Sequence, residues 1–132
     1  MSDPERTLGI MTEHETAVQT LAALWQLIEE QQWDRMGQLL DPAVAVHYVH
    51  TGEVMDADGF IRANRDYPGR WHVHVADMVG ELDRAVSRTS VSDGQQTFWV
   101  ASFATTRHGR IAELVEVWTD AGQSPHPSRA AG

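Results

Sequence analysis

Apolar positions recur at helical spacing early in the chain and at strand spacing later. Val18, Leu21, Trp25 and Ile28 fall on one stripe, widened by Ala17, Leu24 and Leu27. That pattern predicts an amphipathic helix to about residue 31. Thr12-Glu-His-Glu15 before it reads as a capping box. Trp33, Met36 and Leu39-Leu40 predict a shorter second helix, stopped by Asp41-Pro42. Val44-Ala-Val-His-Tyr-Val49 is a β-branched run closed by Thr51-Gly52 and predicts a strand. Asp56 can cap a third helix to about Asp66, with Phe60, Ile61 and Asn64 on its buried side and Tyr67-Pro-Gly69 ending it.

From Trp71 the texture changes to period two. Strands are expected over 71–82, 85–92, 97–106 and 110–120, punctuated by Asp83-Arg84, Asp93-Gly94 and His108-Gly109. Helices in front of four consecutive strands predict an α+β domain, with about three N-terminal helices covering one face of a curved antiparallel sheet. The domain is expected over 12–120, with a disordered leader at 1–11 (Met11 offers an alternative start) and an extended tail at 121–132.

The last strand is unusual. Ala112, Leu114, Glu116, Trp118 and Asp120 point one way, and Ile111, Glu113, Val115, Val117 and Thr119 the other. Both sets are largely apolar and each carries a carboxylate that burial penalises unless it is paired or used. Glu116, two residues from Trp118, is the leading catalytic candidate, because an apolar pocket raises a carboxyl's pKa toward neutrality. Glu113 is expected on the opposite face, serving the outer surface or a dimer contact, unless a bulge intervenes. An ion pair with an Arg or an exposed position is the structural alternative for Glu116.

Tyr48 and His50 share a face of the first strand and form a second candidate pair for proton transfer or ligand hydrogen bonding, with His47 beside them. Trp25, Phe60, Trp71, Phe103 and Trp118, with Phe98 or Trp99, are candidate ligand-binding aromatics, although a plain core position is the commoner role for any single one. Phe98 and Trp99 cannot both face inward from a regular strand. His72 and His74 share a face at a spacing that can bind metal if a third ligand arrives, but Trp71, Val73 and Val75 look like the buried set, so no metal is expected.

Composition narrows the chemistry. The net charge of −9 argues against sequence-independent nucleic-acid binding. There is no cysteine, and all ten basic residues are Arg, so thiolate and lysine Schiff-base chemistry are unavailable. Neither a phosphate loop nor a nucleotide fingerprint occurs, so no cofactor is expected. No apolar run approaches membrane-spanning length and the N-terminus lacks signal-peptide character, so a cytoplasmic protein without membrane contact is expected.

Four local patterns carry a resemblance to a known family. They are Trp33-Asp-Arg-Met-Gly-Gln-Leu-Leu-Asp-Pro-Ala-Val, Asn64-Arg-Asp-Tyr-Pro-Gly-Arg-Trp71, Ser102-Phe103 with Gly109-Arg-Ile111, and Glu116-Val-Trp118 followed by a tail ending Ser128-Arg129-Ala130. With the order of elements, they resemble the nuclear-transport-factor-2-like (cystatin-like cone) superfamily and its SnoaL-like polyketide cyclase group. The resemblance implies a pocket inside the cone and homodimers formed through the outer sheet face. It also implies a small hydrophobic or polyketide-like ligand, handled by a cofactor-independent cyclase, isomerase or hydratase/dehydratase. The isomerase branch's catalytic Asp is not reproduced, since Tyr48 flanked by His47 stands near that place. A non-catalytic ligand-binding module and a dimeric interaction domain are the alternatives.

Overall fold

A computed structural model describes residues 16–119. The Thr12–Glu15 capping box, the leader, Asp120 and the tail lie outside the described residues. Helix α1 (Ala17–Glu29) is followed by α2 (Trp33–Met36) and a 3₁₀ turn (Gly37–Leu39). Then come β1 (Leu40–Tyr48), β2 (Glu53–Met55), α3 (Ala57–Arg65), β3 (His72–Gly80), β4 (Arg84–Ser92), β5 (Thr97–Arg107) and β6 (Arg110–Thr119).

The described part of α1 starts at Thr16, which makes its own capping box. Gln19 N donates to Thr16 Oγ1 at 3.2 Å, while Thr16 N donates to Gln19 Oε1 at 2.9 Å. Of the stripe read from the sequence, Ala17, Leu21, Leu24, Trp25 and Ile28 are buried, and Val18 and Leu27 are half-buried against them. Asp56 caps α3 as expected, its carboxylate accepting from Gly59 N at 2.8 Å.

The sheet order is β2-β1-β6-β5-β4-β3. Strands β3 to β6 form the expected antiparallel meander, but β1 joins β6 in parallel, so the sheet is mixed. The short β2, which the sequence pattern does not predict, adds an antiparallel edge beside β1. Together with the helices this is a cone-like α+β fold. Its core joins α1 to the sheet through Leu21, Leu24, Met36, Leu40, Val46, Phe60, Val100, Ala104, Ile111 and Leu114. Each of the larger aliphatic or aromatic members contributes about 1.5–3 kcal/mol by leaving water.

Two local irregularities shape this frame. In β6, Thr105 pairs with Glu113 and Thr106 with Ile111, which leaves Ala112 as an extra residue. This bulge turns Ile111 into the core beside Leu114, whereas strict alternation sends it outward. At the end of β3, Gly80 lets helix and sheet meet. A Cβ there would lie 2.7 Å from Val18 Cγ2 and closer still to the Arg84 carbonyl oxygen. Gly80→Ala is therefore expected to destabilise the protein by about 1–3 kcal/mol, seen as a lowered midpoint in urea. An unchanged midpoint would show that α1 does not rest on this contact.

Candidate functional site

The helices and the concave sheet face enclose a cavity of about 510 Å³, a size suited to a small organic ligand. Trp25 and Ile28 of α1 and Trp33 of α2 form one side. The opposite wall is a chain of rings. Tyr67 meets Trp71 at 5.7 Å, Trp71 meets Phe98 at 5.5 Å, and Phe98 meets Trp118 edge-on at 6.5 Å. Such offset and edge contacts suit aromatic quadrupoles and stiffen the wall.

Local chemistry holds Trp71 in place. Its Nε1 donates to the Pro68 carbonyl at 2.8 Å, across Gly69, whose φ of 103° is a left-handed value. Arg70 Nη2 donates to the Glu29 carbonyl at 2.9 Å, and Val73 N donates to Glu29 Oε1 at 2.6 Å. His72 Nδ1 lies 3.0 Å from Glu29 Oε2. Burial raises the Glu29 pKa, but the Val73 amide, His72 and Arg70 outweigh it and leave the carboxyl below its ordinary value. Thus the end of α1 fastens the Trp71 wall. His72 serves that clasp, His74 is exposed, and the described residues contain no group of three His, Cys, Asp or Glu arranged to hold a metal.

Glu116 does not line the cavity but lies directly beneath Trp118 and beside Tyr48, which do. It is 1% exposed, and it sits directly across the parallel ladder from Tyr48, which borders the cavity. Trp118 Nε1 donates to Glu116 Oε1 at 3.0 Å, and Ser102 Oγ donates to Oε2 at 3.2 Å. Burial dominates the electrostatics and pushes the carboxyl up to about 7, against the lowering effect of those two donors. Tyr48 is pushed well above the ordinary phenol value by burial, then by Glu116 and Glu53. It is a neutral hydroxyl at physiological pH, braced edge-on by Phe60 at 6.5 Å and stacked on His50 at 5.2 Å.

The site therefore gathers Glu116, Tyr48, His50, Trp25, Trp71 and Trp118. It does not gather all the residues expected. His47 alternates with Tyr48 and stands on the other face of β1, 3.6 Å from Glu113. Phe103 is likewise displaced. Phe98, Val100, Ser102 and Ala104 face inward, so Trp99 and Phe103 project outward at 38% and 39% exposure. Phe60 supports Tyr48 from behind and does not line the cavity. Of Phe98 and Trp99, left open by the sequence, Phe98 is the one that lines the cavity. Sequence reasoning missed Ser102 as the carboxyl's partner and Tyr67 and Trp33 as walls. Ser102 was readable in principle, since it shares the parity of Val100 on a strand flanking β6.

A family model described as the SnoaL-like domain matches residues 21–114. The chain belongs to the SnoaL-like family. Solved structures with the same fold include a candidate ketosteroid isomerase from Kribbella flavida (TM-score 0.78, 19% identity, covering 90% of this chain and 89% of that one). IdmH, a candidate polyketide cyclase from Streptomyces antibioticus, superposes with a TM-score of 0.66 at 16% identity, covering 76% of this chain and 89% of that one. An LEH-like epoxide hydrolase of M. tuberculosis does so at 0.64 and 14%, covering 78% and 82%. No curated protein matches the sequence. At these identities the structures establish a shared fold, one that carries several small-molecule chemistries, and this SnoaL-like chain must be read from its own site. Among its described residues no helix is long and apolar enough to cross a membrane.

Proposed function

We propose that this SnoaL-like protein is a cofactor-independent acid/base enzyme acting on a small hydrophobic, polyketide-like molecule, by cyclisation, isomerisation or hydration/dehydration. The observation that carries the reading is Glu116: a carboxyl buried beneath an aromatic cavity, lifted to about 7, with two donors ready to hold its charge. A group with that pKa gives and takes a proton near neutral pH with similar ease. Glu116 gives or takes the proton, and Trp118 and Ser102 hold its two oxygens. The neutral Tyr48 hydroxyl, with His50 beside it, stabilises an enolate-like oxygen. Trp25, Trp71 and Trp118 grip a flat apolar body, so binding is readable from tryptophan fluorescence. The decisive variant is Glu116→Gln, which separates turnover from binding.

A second reading has its own observation. Both Glu116 oxygens are engaged within the protein and the side chain is 1% exposed, an arrangement that also serves to anchor Trp118 in a non-catalytic binding module. Unchanged turnover in the Gln variant selects that reading.

The protein also pairs, in this proposal, as a homodimer through the outer sheet face. Trp99, Phe103 and Val117 stand there 38%, 39% and 37% exposed on adjacent strands, with Arg88 5.1 Å over the Trp99 ring. Neighbouring apolar side chains of this kind favour association. Light scattering after size exclusion is expected to give twice the chain mass, and Phe103→Glu to give one chain mass. A wild-type monomer removes this interface.

A further inference from the structure

A row of polar side chains crosses the concave face at the level of Glu116. Ser87 of β4 lies opposite Ser102 of β5, Ser102 opposite Glu116 of β6, and Glu116 opposite Tyr48 of β1. Trp25 of α1 closes the far end, its Nε1 donating to Ser87 Oγ at 3.3 Å. The adjoining row is wholly apolar: Ala85, Ala104, Leu114 and Val46 in the same register. Polar groups at this depth are costly unless each has a partner.

The two Glu116 oxygens face different chemistry. An indole N–H only donates, so Oε1, which accepts from Trp118, must remain an acceptor whether or not the carboxyl is protonated. A serine hydroxyl donates or accepts, and Ser102 Oγ is the partner of Oε2. We infer that Ser102 is the proton-positioning residue of Glu116. Its hydroxyl donates to Oε2 of the carboxylate, then turns about its Cβ–Oγ bond to accept from Oε2–H of the acid. The exchangeable proton is thereby confined to the Ser102 side, while Oε1 stays the carbonyl oxygen held by Trp118. On acidification one proton from solvent adds to Oε2, and on alkalinisation it leaves.

The surroundings leave this role to Ser102. Tyr48 faces Glu116 from β1, Ser102 from β5, and Leu114 and Trp118 share its own strand face. Ser87 of β4 with Trp25 of α1 continues the row, and Phe60 of α3 stands behind Tyr48. Tyr48 is the titratable member of that set, and it keeps its proton through neutral pH. Ser102 is 0% exposed, so its hydroxyl meets Glu116 screened from bulk water.

The inference rests on reading Glu116 as a group that titrates near neutrality, but its test needs no substrate. Carboxyl-¹³C NMR of glutamate-labelled protein follows the Glu116 midpoint, and infrared difference spectra follow the C=O stretch of the acid. Ser102→Ala is expected to raise the midpoint by about one pH unit or more, a tenfold change in the ionisation constant, because the buried carboxylate loses a donor. Ser102→Thr, which keeps the hydroxyl, is expected to stay close to wild type. Trp118→Phe should move the acid's C=O stretch upward, and Ser102→Ala should leave it nearly in place. A wild-type midpoint near 7 that Ser102→Ala does not move overturns the inference alone. So does a C=O stretch that responds to Ser102→Ala as strongly as to Trp118→Phe. A wild-type midpoint in the ordinary carboxylate range overturns both the inference and the acid/base reading beneath it.

Discussion

Glu116→Gln is expected to lower turnover by roughly 10²–10⁴-fold, the usual contribution of a positioned proton-transfer group, while ligand affinity stays nearly unchanged. The geometry makes this variant unusually clean. A Gln side chain can accept from Trp118 Nε1 through its oxygen and donate to Ser102 Oγ through its amide, reproducing the network of the neutral acid. The cavity walls, which set affinity, therefore keep their shape. Tryptophan fluorescence titration measures binding, and product formation from a panel of polyketide-like β-dicarbonyl compounds measures turnover. Equal losses in both would point to a collapsed site, and no loss in turnover would remove Glu116 from the chemistry.

The same substitution is expected to make the protein more stable at alkaline pH. Glu116 titrates near 4.5 when unfolded and at about 7 when folded. Below the unfolded value both states hold the proton, and the folded state keeps its full contribution. As pH rises through about 7 the folded state must carry a buried charge, and the contribution is lost. The difference corresponds to roughly 3 kcal/mol. Urea denaturation should therefore find wild type and Glu116→Gln similar at pH 5 and the variant more stable by up to that amount at pH 8.5. Glu29, Asp66 and Asp93 have lowered pKa values; any contribution from them is lost on acidification, in a separate pH window, and is common to both proteins. Parallel curves for the two proteins would mean that Glu116 does not titrate between those pH values. A catalytic group that costs stability in its working form is a familiar trade-off.

Much of this frame was legible because period and parity are local properties. The alternation of β6 separated Glu116 from Glu113, and the structure puts the first beneath the cavity and the second beside His47 on the outer face. Alternation fails where pairing with a neighbour overrides it. The Ala112 bulge, which turns Ile111 inward, is set by the register of β6 against β5, and no residue in β6 announces it. The parallel pairing of β1 with β6, which sets Tyr48 across from Glu116, is a contact between distant segments and has no local signal.

Phe103 is a different kind of error. Its ring suited a pocket, but parity with Trp99 was available, and either both face the cavity or neither does. His47 follows the same rule relative to Tyr48. In both cases strand geometry, not the chemistry of the side chain, decides which face it occupies. Ser102 is the converse case: a small hydroxyl carries no signal of its own, and only the register of β5 against β6 sets it against a buried carboxyl. The aromatic wall at Tyr67 and Trp71 depends on the left-handed turn at Gly69 and on the Glu29 clasp, which sequence spacing does not reveal.

The acid/base reading stands or falls on Glu116 being a near-neutral acid beneath an aromatic cavity. The most direct measurement is the ¹³C chemical shift of the wild-type Glu116 carboxyl followed from pH 3 to 10, with Glu116→Gln identifying the signal. A single transition at about 7 is the predicted result. A transition near 4.5, the value of an ordinary solvated glutamate, would contradict it.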